Sequence, residues 1–200
     1  MNQYINGKVV FVGDTNVGKT TIINKHNDID GDVQSTLTAS SISCSVNVKG
    51  EDIGFSVWDT AGQVDYRCMV PMFVRGAQIA VIVFNLNDEQ TFENVPEWKQ
   101  FLDDNCEPET IFIVGNKKDL ERKVSEEAIE GFIQHNNNNN DDDNNNNNTI
   151  QCYFTDALSG DGVDELFYAI AVKIQELNNV NPPQPIPIPV PSAEPKSRCC

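Results

Sequence analysis

Short apolar runs alternate with segments of helical period along this chain. Lys8–Val12 reads as a buried strand, and Lys19–Lys25 as the start of a helix. Gly31–Ser41 is polar and has no clear period. Ile42–Val48 and Ile53–Trp58 flank the turn Lys49-Gly50-Glu51-Asp52, which predicts an antiparallel hairpin. Ile79–Phe84 and Ile111–Val114 are β-rich apolar runs of the kind buried in parallel sheets. Within Glu93–Leu102, Val95, Trp98, Phe101 and Leu102 fall at helical spacing. Ser125 stands as an N-cap before a helical face of Ala128, Ile129, Phe132 and Ile133. Ile150–Phe154 predicts a last strand and Val163–Leu177 an amphipathic last helix. Strand and helix alternate, so the fold class is α/β with a mostly parallel sheet. Ligands in such sheets sit at the carboxyl ends of the strands.

Two segments break the pattern. Residues 136–148 are thirteen consecutive Asn and Asp, which have no apolar area to offset the entropy of ordering them; disorder is the expectation. Residues 178–200 hold seven of the ten prolines and predict an extended tether, reaching at most about 70 Å at ~3.1 Å per residue. A Pro-rich ligand for SH3-type domains is the lesser reading of the same segment. The expected organisation is a globular domain over residues 1–177, carrying the Asn/Asp insert, and a tail over 178–200.

Charge narrows the function classes. The formal net charge of −16 repels nucleic acid and bare anionic membrane. The amino-terminal residues form no secretory signal, and no run of eighteen apolar residues exists to span a bilayer. Cys44, Cys68, Cys106 and Cys152 are scattered, so reduced thiols are expected rather than disulfides or zinc ligands. His26 and His135 are isolated and take no role.

The chemistry lies in the loops after the strands. Gly13-Asp14-Thr15-Asn16-Val17-Gly18-Lys19-Thr20 reads G-x-x-x-x-G-K-T, the phosphate-binding loop. Its glycines allow a sharp turn that aims N–H groups at phosphate oxygens. Lys19 adds a catalytic positive charge on the β/γ-phosphates, Thr20 offers a hydroxyl to Mg²⁺, and the following helix adds its dipole. Asp59, ending the third strand, suits a Mg²⁺ site as a Walker-B carboxylate. Gly62 can bring its N–H to a γ-phosphate, and Gln63, with one donor and one acceptor end, can orient an attacking water. Alone, this stretch reads equally as a polar turn. Thr36 can give Mg²⁺ its hydroxyl and a γ-phosphate its N–H, a bond that exists only with a triphosphate. Asn116-Lys117-Lys118-Asp119 follows another strand; Asp119 can accept from guanine N1–H and N2–H₂, which adenine lacks. Asp156 and Ala157 follow the last strand, where the Ala157 N–H can reach guanine O6. A phosphate-loop kinase has no need of the Asn116–Asp119 element.

With these residues in place, the chain resembles a small GTPase of the Ras superfamily, specifically the Rab family. The resemblance spans Gly7 to about Gln175 and rests on GDTNVGKT, WDTAGQ, NKKD and TDAL in family order. Ser35-Thr36-Leu37, the run Pro71–Gln78 and the terminal Cys199-Cys200 are similar to the endocytic branch. The resemblance implies a six-stranded, mostly parallel sheet with one antiparallel edge strand and five helices. It implies bound GTP or GDP with Mg²⁺, slow GTP hydrolysis, and switches near Gln34–Ile42 and Gln63–Gly76. Implied effector and switch positions are Gln34, Ser35, Thr36, Leu37, Thr38, Ser41, Ile42, Trp58 and Phe73. Implied partners are an exchange factor, a GTPase-activating protein, effectors and a prenyl-binding escort protein.

Cys199 and Cys200 match the family's double prenylation site. The tail sets only Lys196 and Arg198 against Glu194, so two lipid chains would supply the anchoring. The expected location is the cytoplasmic face of endosomal or plasma membrane, with a cytosolic pool. The chain also departs from the family. Val64-Asp65 replaces Glu-Arg after the switch glutamine, Ser41 replaces an aromatic, and Asp156 replaces a small Ser. The Thr20–Thr36 loop is about two residues shorter than usual for the family. No aromatic lies between Phe11 and Phe55, so the ring that stacks on guanine in the family is missing. The expected function is a membrane-anchored GTP/GDP switch in vesicle traffic; the alternative is a guanine-nucleotide-binding scaffold with little hydrolysis.

Overall fold

A computed structural model describes residues 5–29, 39–60, 70–138 and 149–180. The strands are β1 (Ile5–Val12), β2 (Ala39–Val48), β3 (Glu51–Thr60), β4 (Ile79–Asn85), β5 (Thr110–Asn116) and β6 (Thr149–Phe154). They form one sheet in the order β2-β3-β1-β4-β5-β6. Only the β2–β3 pair is antiparallel, which places the antiparallel strand at an edge as expected.

The helices are α1 (Lys19–His26), α2 (Val70–Val74), α3 (Glu89–Glu93), α4 (Val95–Asn105), α5 (Glu126–Asn138) and α6 (Val163–Val180). Asn94 between α3 and α4 stays right-handed helical, and its N–H bonds the Gln90 carbonyl while its carbonyl receives the Trp98 N–H. Those two segments are one bent helix, with Pro96 in the first turn of α4 where a missing N–H costs nothing. The described residues therefore carry five helical bodies.

Strand periodicity sorts the core into two layers. Val9, Phe11, Val81, Val83, Phe112 and Val114 face α1 and α6, where they meet Ile22, Leu166, Phe167 and Ile170. Their neighbours Val10, Val12, Ala80, Ile82, Ile111 and Ile113 face α2, α4 and α5, where they meet Val74, Trp98, Leu102 and Ile129. Both faces are covered, which explains why the central strands read as unbroken apolar runs.

The structure corrects several boundaries. The hairpin turn is only Lys49-Gly50, since Val48 already pairs with Glu51. Both turn residues have positive φ (53° and 94°), the twist that suits a two-residue hairpin. β2 begins at Ala39, so Ala39–Ser41 belong to a strand because Thr60, Asp59 and Trp58 pair with them. α5 runs to Asn138, which takes the first three residues of the expected disordered insert into a helix. Asn137 shows why: its carboxamide donates to the Ile150 carbonyl (3.2 Å) and accepts from the Ile150 N–H (2.9 Å) at the free edge of β6. α6 runs to Val180, three residues beyond the expected domain end. α2 has no counterpart in the apolar pattern because five residues are too few to show a period.

Candidate functional site

β1 ends at the centre of the sheet, paired on one side with β3 and on the other with β4, and releases the chain into Gly13. Gly13 has φ +136°, and a Cβ there would stand 2.2 Å from the Val83 carbonyl oxygen. Gly18 has φ +101°, and a Cβ there would stand 2.2 Å from the Asn116 Nδ2. Neither position accepts a side chain. Asn16 is also left-handed (φ 61°). The resulting loop ends on α1, whose first turn has no side-chain cap and no acidic residue. Its positive dipole end is open to an anion.

Lys19 is buried beside this loop. Its Nζ donates to the Gly13 and Asp14 carbonyls, each at 2.8 Å. Burial lowers its ammonium to about 8, against the opposing pull of Asp59 and Asp14. A cation so desolvated gains most from a negative partner. Thr20 Oγ1 donates to the buried Asp59 Oδ2 at 2.6 Å. Asp59 is held at the end of β3, where Thr60 Oγ1 also donates to the Phe11 carbonyl at 2.7 Å. A hydroxyl and a carboxylate converging beside a phosphate loop are the hard oxygen donors that Mg²⁺ takes, so these residues fit that ion.

Asn116 closes the site from the other side. Its Nδ2 donates to the Val17 carbonyl (2.8 Å), and its Oδ1 accepts from the Thr155 hydroxyl (3.0 Å) and the Ala157 N–H (3.2 Å). One buried carboxamide thus ties the phosphate loop to β5 and to the loop after β6. Beside it opens a cleft of about 310 Å³, lined by Asn16, Gly18, Lys117, Asp119, Ala157 and Leu158 among others. Lys117 is left-handed (φ 63°), which turns the chain between Asn116 and Asp119. Asp156 also borders the cleft, but its carboxylate caps the turn that follows. It accepts from the Leu158 N–H at 2.9 Å, the Ser159 N–H at 3.3 Å and the Ser159 hydroxyl. The Ser159 hydroxyl, with those N–H groups and Lys118, holds the Asp156 carboxyl below its ordinary range.

Trp58, near the end of β3, and Phe73 come together with ring centroids 6.0 Å apart. Ser41 lies opposite Trp58 in the β2–β3 ladder and shares its face. Ile42 does not join them; it packs on the other face, under α1 and α6. Gln34, Ser35, Thr36, Leu37, Thr38, Gly62, Gln63, Cys68, Cys199 and Cys200 lie outside the described residues, as do the Pro-rich tail from residue 181 and residues 139–148 of the insert.

Sequence reasoning missed other contributors. Thr21, Leu120 and Leu158 line the cleft, Thr155 orients Asn116, and Asn94 and Trp98 grip Asp14. The last two stand 80 and 84 residues from Asp14, beyond any local motif. His26, given no role, stacks face to face on Phe167 with centroids 3.7 Å apart.

The chain matches the Ras family over residues 8–176. It is 31% identical to Ras-related protein RABF2a of Arabidopsis thaliana, over the whole chain and 96% of that relative. It is 34% identical to Ras-related protein Rab-21 of Geodia cydonium, over 87% of this chain and 73% of the relative. It is 33% identical to putative ras-related protein Rab-5B of Dictyostelium discoideum, over 88% of this chain and 78% of the relative. With a G-x-x-x-x-G-K-T loop, a Thr–Asp oxygen pair and a cleft beside Asn116 gathered at the carboxyl ends of the strands of a six-stranded sheet, the chain belongs to the Ras family as a Rab-type small GTPase, a GTP hydrolase.

Proposed function

We propose that this protein is a membrane-anchored GTP/GDP switch that hydrolyses GTP slowly and regulates endocytic vesicle traffic. The observation that carries the reading is the knot at Asn116, which locks the phosphate loop and the base cleft into one site. Lys19 and the α1 dipole stabilise the β/γ-phosphates. Thr20 and Asp59, with Thr36, would hold Mg²⁺, which neutralises phosphate charge when bound. Asp119 reads the guanine edge. Gln63 orients the attacking water, and the Gly62 N–H and Thr36 sense the γ-phosphate, so the switch loops differ between the two nucleotides. Thr15 and Asn16 supply no arginine for the transition state, so turnover is slow until a GTPase-activating protein donates one.

Trp58 and Phe73 form the effector-facing patch, with Ser41 leaving room where the family carries a ring. Prenyl groups on Cys199 and Cys200 anchor the chain, two lipid chains giving the stable attachment that one alone does not. Single-turnover hydrolysis tests the mechanism. Gln63→Leu is expected to slow hydrolysis at least about ten-fold and to keep the GTP form with an activating protein present. Unchanged hydrolysis in that variant removes Gln63 from its role. A second reading, a guanine-nucleotide-binding scaffold, draws on the absence of any aromatic between Phe11 and Phe55. It predicts nucleotide lost within seconds in Mg²⁺ and no measurable hydrolysis by the wild-type protein.

A further inference from the structure

We propose that Asn94 and Trp98 are positioning residues for the phosphate loop, latching the Asp14 carboxylate onto α4 and so setting how long nucleotide stays bound. The inference rests on reading the site as a guanine-nucleotide site. Asp14 Oδ2 accepts from Asn94 Nδ2 at 2.7 Å, and Oδ1 accepts from Trp98 Nε1 at 2.9 Å. Both bonds involve an ionised acceptor, the stronger class of hydrogen bond. The main-chain carbonyl of the same residue accepts from Lys19 Nζ at 2.8 Å. One residue of the loop therefore couples α4 to the buried cation of the site.

The latch matters for two physical reasons. A carboxylate in an anion-binding loop opposes phosphate unless its charge is taken up elsewhere, and two N–H donors take it up here. The latch is also stiff at its far end. Trp98 is only 3% exposed, and its ring packs in the same core as Leu102, Val70 and Val74, the latter two from α2. A loop held on such an anchor keeps its N–H groups aimed, and preorganised donors hold a ligand better than mobile ones.

The test is release of a fluorescent GDP analogue in Mg²⁺ from the full chain. Trp98→Phe keeps an aromatic six-membered ring and removes the N–H together with the rest of the indole; Asn94→Ala removes the other donor on a half-buried side chain outside the core, so the fold survives at least that change. Each is expected to speed release about ten-fold, the worth of one charge-assisted bond. In an Asp14→Ala background neither change is expected to speed release further. Equal acceleration with and without Asp14 overturns the latch, because it reports a merely structural role. Unchanged release in both single variants, with wild-type protein retaining GDP, also overturns it and leaves the nucleotide reading intact. A wild-type protein that binds no guanine nucleotide overturns both.

Discussion

Asn116 shows how much of the site one side chain can carry. It satisfies a carbonyl of the phosphate loop, a threonine hydroxyl and a main-chain N–H, all buried. Asn116→Ala leaves three polar groups without partners, so a loss of about 2–4 kcal/mol in unfolding free energy is expected together with loss of nucleotide binding. A chemical unfolding midpoint unchanged within error contradicts the knot. Lys19 yields a second prediction. Its ammonium falls to about 8 in the folded chain against an ordinary 10.5. Between those values the native state binds fewer protons than the unfolded state, so nucleotide-free stability rises with pH across that window. A polyphosphate beside Lys19 reverses the shift. Binding at about pH 8.5 should take up protons, and at about pH 7 almost none, as read by calorimetry in two buffers of different ionisation heat. Equal proton uptake at both pH values contradicts the account.

At the scale of elements, the Asn/Asp run interrupts the sequence more than the fold. Asn137 and Ile150 are hydrogen-bonded to each other, so the two flanks of the run meet at one place. Replacing those ten residues with a short Gly/Ser link is expected to keep nucleotide release within about two-fold and to leave the melting midpoint the same or slightly higher, since a shorter loop costs less to close. A large loss of stability, or of nucleotide, gives the insert a role this account denies.

The same elements show what was legible beforehand. All six strands were readable because central strands buried on both faces are unbroken apolar runs and the hairpin carries a glycine turn. The phosphate loop and the Asn116 element were readable because their chemistry fixes residue types at fixed spacing. α2 was too short to have a period, and Ala39–Ser41 are polar residues recruited by their partners on β3. The Asp14 latch and the capping role of Asp156 depend on contacts that only the folded chain creates.

For the whole molecule, the parallel strands bring the loop after β1, the end of β3 and the loops after β5 and β6 to one end of the sheet, although these residues are spread from 13 to 157. That convergence distinguishes a nucleotide switch from a domain with a stray glycine loop. A formal net charge of −16 repels a bare anionic membrane, in keeping with the lipid anchor proposed above. The central claim is that this end of the sheet holds a guanine nucleotide despite the absent stacking ring. The most direct test is to purify the full chain in Mg²⁺, denature it, and identify and count what is released. About one guanine nucleotide per chain, chiefly GDP, is the result this account predicts, in keeping with a slow switch. An empty protein, or one carrying adenine nucleotide, would contradict it.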